Sequence, residues 1–451
     1  MTTTEAAGAL VLFGVTGDLA RKSLLPALYR LVADERLSVP VVGVVRGDWT
    51  PEKVRRRARE AISAHGRLDE EVFARFAELL RVAHVDYAEP DSFADIAEQT
   101  EGLGFLAHYL AVPPALFATV AANLAHVGLN DHARLVVEKP FGHDLASARA
   151  LQAELTRSFP EERLRRVDHF LGKDVIEDLL VFRFANTLLS ATLARPHVRS
   201  VQITMAEDFD VGERGSFYDE VGALQDVVQN HLLQTLAFLV MERPEGEEPE
   251  AMLAAKAAAL KAVRAVPAGD YVRGQYAGYL DVAGVEPGSV TETYAALRLY
   301  VGTDRWDGVP FTIRAGKAMA ATTLEIVVEL HPADAADPNL VRFRLSPDPG
   351  VTFDLLAKSA RRAEPDHVAA RVDFTCLSGD DVRAYERVLA DAVSGDPRRF
   401  ARMDQVEECW RIVADLLDPA GEPVVYRPGG WGPEEADRLT LDGHWFPLEN
   451  G

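Results

Sequence analysis

Two short stretches concentrate side chains that can move protons or hold anions. Arg166-Val167-Asp168-His169-Phe170-Leu171-Gly172-Lys173 sets an acid, a histidine and two cations among apolar residues. Asp226-Val227-Val228-Gln229-Asn230-His231 sets a second acid and a second histidine inside a long helical pattern. Imidazole titrates near neutrality, so such a ring can act as a general base once a carboxylate fixes its tautomer. On an α-helix, Asp226 and His231 lie about 140° apart, so those two are not expected to pair closely. Asp168 is then the natural carboxylate to orient His231. Taken alone, a histidine amid Val227, Val228 and Leu232 reads as a core residue, and the polar neighbours narrow that gap.

A third stretch could hold phosphate. Gly14-Val15-Thr16-Gly17-Asp18-Leu19-Ala20 follows an apolar run and precedes a helical pattern. Glycines there let the backbone turn tightly and approach a pyrophosphate, which the helix N-terminus attracts. The full G-x-G-x-x-G is absent, because Thr16 stands at the second glycine position. A nucleotide-hydrolase loop fails too, since Arg21 precedes Lys22-Ser23 where that loop needs glycine. Spacing alone leaves a dinucleotide turn and an ordinary strand-helix turn equally open. Arg46, which ends the second apolar run, tilts the balance: an arginine there offers charge to an adenosine 2′-phosphate.

The elements that must position these groups alternate in period. Ala9 to Phe13, Pro40 to Val45, Val82 to Val85, Gly104 to Val112 and Arg134 to Val137 read as buried strands. Lys22 to Val32, Pro51 to Ala64 and Phe117 to Ala125 read as helices between them. Strands alternating with helices indicate a doubly wound parallel sheet. Beyond about residue 170 the rhythm changes. Asp219 to Met241 reads as one long helix and Ala251 to Val266 as another. Ala295 to Val301, Glu325 to Leu330 and Val341 to Leu345 read as antiparallel strands. The expected class is α/β plus α+β, with a dinucleotide-binding domain over 1–169 and an α+β domain with a large mostly antiparallel sheet over 170–451.

Composition narrows the function. The chain has 451 residues, 48 Lys plus Arg against 70 Asp plus Glu, and a net charge of −22. A uniformly acidic surface repels nucleic-acid backbones and anionic lipid, so neither is an expected partner. An anionic small molecule would need a local basic pocket. Cys376 and Cys409 cannot build a disulfide framework, and no ligand spacing suggests a metal. The apolar stretch Ala6 to Val15 lacks a basic leader, and Leu232 to Met241 is too short to span a bilayer, so a cytoplasmic protein is expected.

Together these residues resemble the glucose-6-phosphate dehydrogenase family. The matching segments are Gly14 to Ala20, Glu138-Lys139-Pro140-Phe141-Gly142, Arg166 to Lys173, Arg183 to Asn186, Asp226 to Leu232 and Arg314-Ala315-Gly316-Lys317. Ala384-Tyr385-Glu386-Arg387 and Gly430-Trp431-Gly432-Pro433 add to them. The resemblance implies oxidation of a sugar hemiacetal at C1 to a lactone, at the entry to the pentose phosphate pathway. It implies NADP as coenzyme, with NAD possible, 170–451 as the substrate and oligomerisation domain, and a homodimer or homotetramer. It makes His231 the base and Asp168 its orienting carboxylate. It places His169 and Lys173 at the sugar phosphate, and Lys139, Glu207, Asp226 and Lys317 around the sugar hydroxyls. Thr16 and Arg46 fall near the adenosine 2′-phosphate, with Gly14, Gly17, Asp18, Leu19 and Lys139 also on the coenzyme.

Three residues depart from the family pattern. Phe170 replaces a tyrosine, Thr322 a cation and Ser23 a lysine. All three remove hydrogen-bonding or charge capacity toward the substrate, while Asp168 and His231 are kept. Two other readings therefore stand beside the first: a C1 dehydrogenase for a related pyranose with a different C6 group, and a non-catalytic NADP-binding sensor.

Overall fold

β1 (Ala9–Phe13) is apolar and buried along its whole length. Such a strand needs cover on both faces. Leu10 and Leu12 enter one core cluster, while Ala9, Val11 and Phe13 enter another. The computed structural model describes residues 5–333, 337–358, 365–374 and 381–448; Cys376 lies outside them, and Cys409 is buried. β1 pairs in parallel with β2 (Val41–Val45), which pairs with β3 (Leu80–His84). On its other side lie β4 (Leu106–Leu110), β5 (Ala133–Glu138) and β6 (Leu164–Val167), all parallel. The order β6-β5-β4-β1-β2-β3 reverses between β1 and β4, the crevice where open α/β sheets bind ligands. The short strand Phe400–Ala401 closes the β6 edge, antiparallel.

The second sheet is mostly antiparallel, as its alternating strands suggested. Its order runs β14 (Pro365–Asp373), β13 (Gly350–Lys358), β12 (Leu340–Ser346), β11 (Thr323–Leu330), β7 (Val198–Ala206), β10 (Pro310–Gly316), β9 (Tyr294–Tyr300) and β8 (Tyr271–Tyr276), then the strand Val424–Tyr426. Two neighbours are parallel: β7 with β10, and Val424–Tyr426 with β8.

The chain forms two compact units, and neither is one continuous stretch. The first comprises 1–173, 245–254 and 378–407; the second comprises 174–244, 255–377 and 408–451. The helix Asp381–Ser394 joins the first because Val388, Leu389 and Ala392 pack into the same cluster as Leu28 and Leu31.

The expected single helix over Asp219 to Met241 is corrected. It is three pieces: an α-helix Gly215–Ala223, a π-helix Leu224–Leu232 and an α-helix Leu233–Val240. Gly222 breaks the first with φ 63° and ψ 178°. A π-helix bonds i to i+5, so Asp226 and His231 stand one turn apart, and the 140° separation of an ideal α-helix does not apply.

Candidate active site

The glycine turn starts where β1 ends. Gly14 has φ +79°, and a Cβ there would lie 2.1 Å from the Ala111 carbonyl oxygen. Conformation and space both require glycine. The Gly17 N–H donates to the Gly14 carbonyl at 2.8 Å, closing the turn that carries Thr16. Asp18 is exposed and pairs with Arg21 at 3.6 Å; Leu19 leads into a π-helical segment, Ala20–Leu24. The Arg57 side chain donates to the Gly17 carbonyl at 3.2 Å while facing the Trp49 ring at 5.9 Å. Helix Pro51–Ser63 thereby braces both the turn and the loop after β2.

Arg46 stands in that loop, 65 % exposed, 3.7 Å from Asp86 and 6.0 Å from the Tyr87 ring centroid. With Gly47, His84, Val85 and Asp86 it lines an open pocket of about 570 Å³. A solvated cation in so loose an ion pair is free to turn toward a phosphate, so these residues fit an adenosine 2′-phosphate.

β5 ends at the buried Glu138, and a cis peptide bond joins Lys139 to Pro140. The loop is pinned at Gly142, where φ is +77° and a Cβ would sit 2.4 Å from the Ala148 nitrogen. Asp144 then caps helix Leu145–Thr156 in a reciprocal box with Ser147. Beside Lys139, the Tyr109 hydroxyl donates to Glu138 at 2.5 Å. Burial pushes the Glu138 carboxyl up to about 7, against the pull of that hydrogen bond.

β6 delivers Asp168, whose Oδ1 accepts the Phe170 N–H at 3.0 Å and caps the 3₁₀ turn His169–Gly172. The His169 ring stacks on Tyr385, with centroids 5.6 Å apart and planes at 10°. The Lys173 ammonium lies 4.9 Å from the centroid of the buried Phe170 ring.

In the second unit, register places the groups. β7 and β10 run parallel with Ala206 opposite Gly316, so Glu207 and Lys317 leave their strands side by side. Their side chains pair at 2.5 Å. The Glu207 N–H donates to the Gly316 carbonyl at 3.0 Å, and the Lys317 N–H to the Thr293 carbonyl at 2.9 Å. The Lys317 ammonium also faces the rings of Phe209 at 4.8 Å and Tyr218 at 5.8 Å. Upstream, the buried Arg314 donates to the Thr204 hydroxyl at 2.9 Å and faces Trp445 at 4.3 Å, fixing the strand that ends at Lys317. Asp226 and the buried His231 share the π-helix, and the Thr235 hydroxyl donates to the His231 carbonyl at 2.8 Å.

The three departures are all accommodated. Ser23 is buried on the Ala20–Leu24 segment, and Phe170 is buried beneath Lys173. The Thr322 hydroxyl accepts the Asp208 N–H at 3.0 Å and donates to its carboxylate at 2.5 Å, bracing the loop next to Glu207.

Thus Asp168, His169, Lys173 and Lys139 lie in the first unit with Gly14, Gly17 and Arg46, while Glu207, Asp226, His231 and Lys317 lie in the second. Sequence reasoning missed Tyr109, Glu138, Phe209 and Tyr218, and it gave Tyr385 no role. Tyr385 and Glu138 sat inside motifs already singled out; nothing in the sequence marked what they touch.

A parallel sheet with a glycine turn at its crossing, and a second unit carrying histidine, acids and a paired lysine, suit a dinucleotide-dependent oxidoreductase, the class to which the family comparisons assign the chain. Residues 11–178 match the family model "Glucose-6-phosphate dehydrogenase, NAD binding domain", and residues 180–445 the corresponding C-terminal domain. The chain belongs to the glucose-6-phosphate dehydrogenase family. It is 43 % identical to glucose-6-phosphate 1-dehydrogenase 1 of Mycobacterium bovis, over 98 % of this chain and 97 % of that one. The crystal structure of the Mycobacterium avium glucose-6-phosphate 1-dehydrogenase superposes with TM-score 0.93 at 42 % identity, covering 98 % of this chain and all of that one. A glucose-6-phosphate dehydrogenase in complex with glucose 6-phosphate superposes with TM-score 0.90 at 29 % identity, covering 99 % of this chain and 100 % of that one.

Proposed function

We propose that this chain oxidises glucose 6-phosphate at C1 to the 6-phosphogluconolactone, with NADP as coenzyme. The observation that carries the reading is family membership along nearly the whole chain, with a fold shared by a relative that holds glucose 6-phosphate. Bound NADP supplies the acceptor for the hydride that leaves C1. His231 takes the proton of the C1 hydroxyl on one ring nitrogen, and Asp168 holds the ring in one tautomer and stabilises its charged form. Lys139, Glu207, Asp226 and Lys317 orient the sugar hydroxyls, so that the proton of the C1 hydroxyl faces the base. His169 and Lys173 hold the sugar phosphate. Gly14, Thr16, Gly17, Asp18 and Leu19 receive the coenzyme's phosphates, with Lys139 near its reactive end. Arg46 selects NADP through the 2′-phosphate, a role its exposure and loose pairing support. The enzyme works in the cytoplasm as a homodimer or homotetramer. Among the described residues no helix is long and apolar enough to cross a membrane.

A panel of glucose, glucose 6-phosphate and other aldohexose 6-phosphates, each with NADP and with NAD, tests the reading at the nicotinamide absorbance. NADPH formation with glucose 6-phosphate alone is expected. Preference for an unphosphorylated sugar would overturn the substrate, and equal rates with both coenzymes would overturn the role of Arg46.

A further inference from the structure

The π-helix that carries Asp226 and His231 begins against a residue from a different part of the chain. Glu292 stands just before β9, and its Oε1 accepts the Leu224 N–H at 2.9 Å. Its own carbonyl accepts the Ala223 N–H at 3.0 Å. Two consecutive donors at the first turn of the π-helix are therefore satisfied by one residue. Such donors have no partner within their own helix and must find one elsewhere.

Gly222 shows that the fit is close. Its φ of +63° disfavours an L side chain, and a Cβ there would lie 2.5 Å from Glu292 Oε1. The chain thus breaks its α-helix at the residue that lets the carboxylate reach the Leu224 N–H. The next residue, Thr293, holds the backbone at Lys317. Its carbonyl accepts the Lys317 N–H at 2.9 Å and the Tyr426 hydroxyl at 3.2 Å. The Tyr426 hydroxyl also donates to the Lys317 carbonyl at 2.6 Å. Two adjacent residues therefore hold the backbone of the π-helix start and of Lys317.

We infer that Glu292 is a positioning residue: by anchoring the first turn of the π-helix to β9, it sets where Asp226 and His231 stand relative to Lys317 and Glu207. This rests on the proposed roles of Asp226, His231 and Lys317. Burial pushes the Glu292 carboxyl up to about 7, and the acceptor role survives this, since the neutral acid keeps a carbonyl oxygen for the Leu224 N–H.

The test compares two substitutions in the full-length protein. Glu292→Ala removes the acceptor, whereas Glu292→Gln keeps an oxygen of the same reach and loses only the charge. Glu292→Ala is expected to lower kcat for glucose 6-phosphate by up to about 10²-fold, the scale of a small misplacement of catalytic groups. Affinity for NADP, read by fluorescence titration, stays at the wild-type value, and Glu292→Gln restores most of kcat. A second readout does not depend on turnover: the His231 ring signals in NMR, assigned by their loss in His231→Asn, shift in Glu292→Ala and return in Glu292→Gln. If Glu292→Ala does not fold, Glu292→Asp, whose shorter arm withdraws the acceptor, takes its place with the same expectation. Wild-type kcat and unmoved ring signals in the Ala or Asp variant would overturn the inference, as would equal losses in the Ala and Gln variants. A wild-type protein inactive on glucose 6-phosphate would overturn the proposed function instead, and the ring signals would still decide the role of Glu292.

Discussion

Arg46 in the first unit and Lys317 in the second are both cations proposed to meet a ligand, and their surroundings are built in opposite ways. Arg46 projects from a strand end, 65 % exposed, with its nearest carboxylate at 3.7 Å. The Lys317 side chain is 10 % exposed, pairs with Glu207 at 2.5 Å and faces two aromatic rings. The first is solvated and screened, so its influence reaches little beyond the group it touches. The second is shielded and held through its neighbours, so removing it disturbs Glu207 and the strand ends beside it. The surroundings of Arg46 thus offer independent, solvated contacts, while those of Lys317 form a wired cluster.

The largest expected effect lies in the wired half. His231→Asn should lower turnover by a factor of about 10² to 10⁴ and leave coenzyme affinity unchanged, as steady-state kinetics and NADP titration would show. Asp168→Asn should also impair turnover, and the double variant should lose much less than the sum of the two if they act as a unit. Activity within a few-fold of wild type in His231→Asn would remove the base from the scheme.

Next comes the solvated half. Arg46→Ala should weaken NADP binding by about 10- to 150-fold, the range for one charge-assisted contact, and NAD binding far less. Equal losses for both coenzymes would mean that Arg46 does not meet the 2′-phosphate.

A pair of double-mutant cycles compares the two halves directly. Glu207→Gln with Lys317→Met, followed by thermal unfolding, should show a coupling of about 0.5 to 3 kcal/mol. Arg46→Ala with Asp86→Ala should show a coupling near zero, as exposed pairs usually do. Equal couplings would erase the contrast.

The smallest effect concerns a departure from the family. Phe170→Tyr adds a hydroxyl in the turn that carries His169 and Lys173, and one new hydrogen bond of about 1 kcal/mol would lower KM for glucose 6-phosphate by about fivefold. No comparable gain is expected with glucose. Thr322→Lys is expected to gain less, because Thr322 is committed to the Asp208 backbone and carboxylate, and the substitution would release both contacts.

Much of the first unit was legible in the sequence because its signals are local. The alternation of apolar strands with amphipathic helices gave the parallel sheet. Ala9–Phe13, Pro51–Ser63 and Phe117–His126 fall within a residue of where periodicity put them. The glycine turn was equally readable, since Gly14, Gly17 and the helix that follows are consecutive in the chain. Helices Glu70–Leu79 and Leu145–Thr156 went unread, although Asp69 and Asp144 cap them with the residue type expected of an N-cap.

The sequence by itself determined the two sheet types, the glycine turn after the first strand and the residue types of the candidate site. Each follows from side-chain periodicity or from a short motif, whose physics acts over a few residues. Only the tertiary structure decided how those residues are held. Glu207 meets Lys317 because β7 and β10 pair in parallel at one register, and Tyr385 lies on His169 because a helix late in the chain packs into the first core. The π-helix is the clearest case. Propensity and periodicity for Asp219 to Met241 favour one α-helix, and the chain departs from it where Gly222 makes room for Glu292, 68 residues from the Leu224 N–H it accepts. A hydrogen bond across that distance in sequence leaves no periodic trace, yet it sets the turn on which Asp226 and His231 stand.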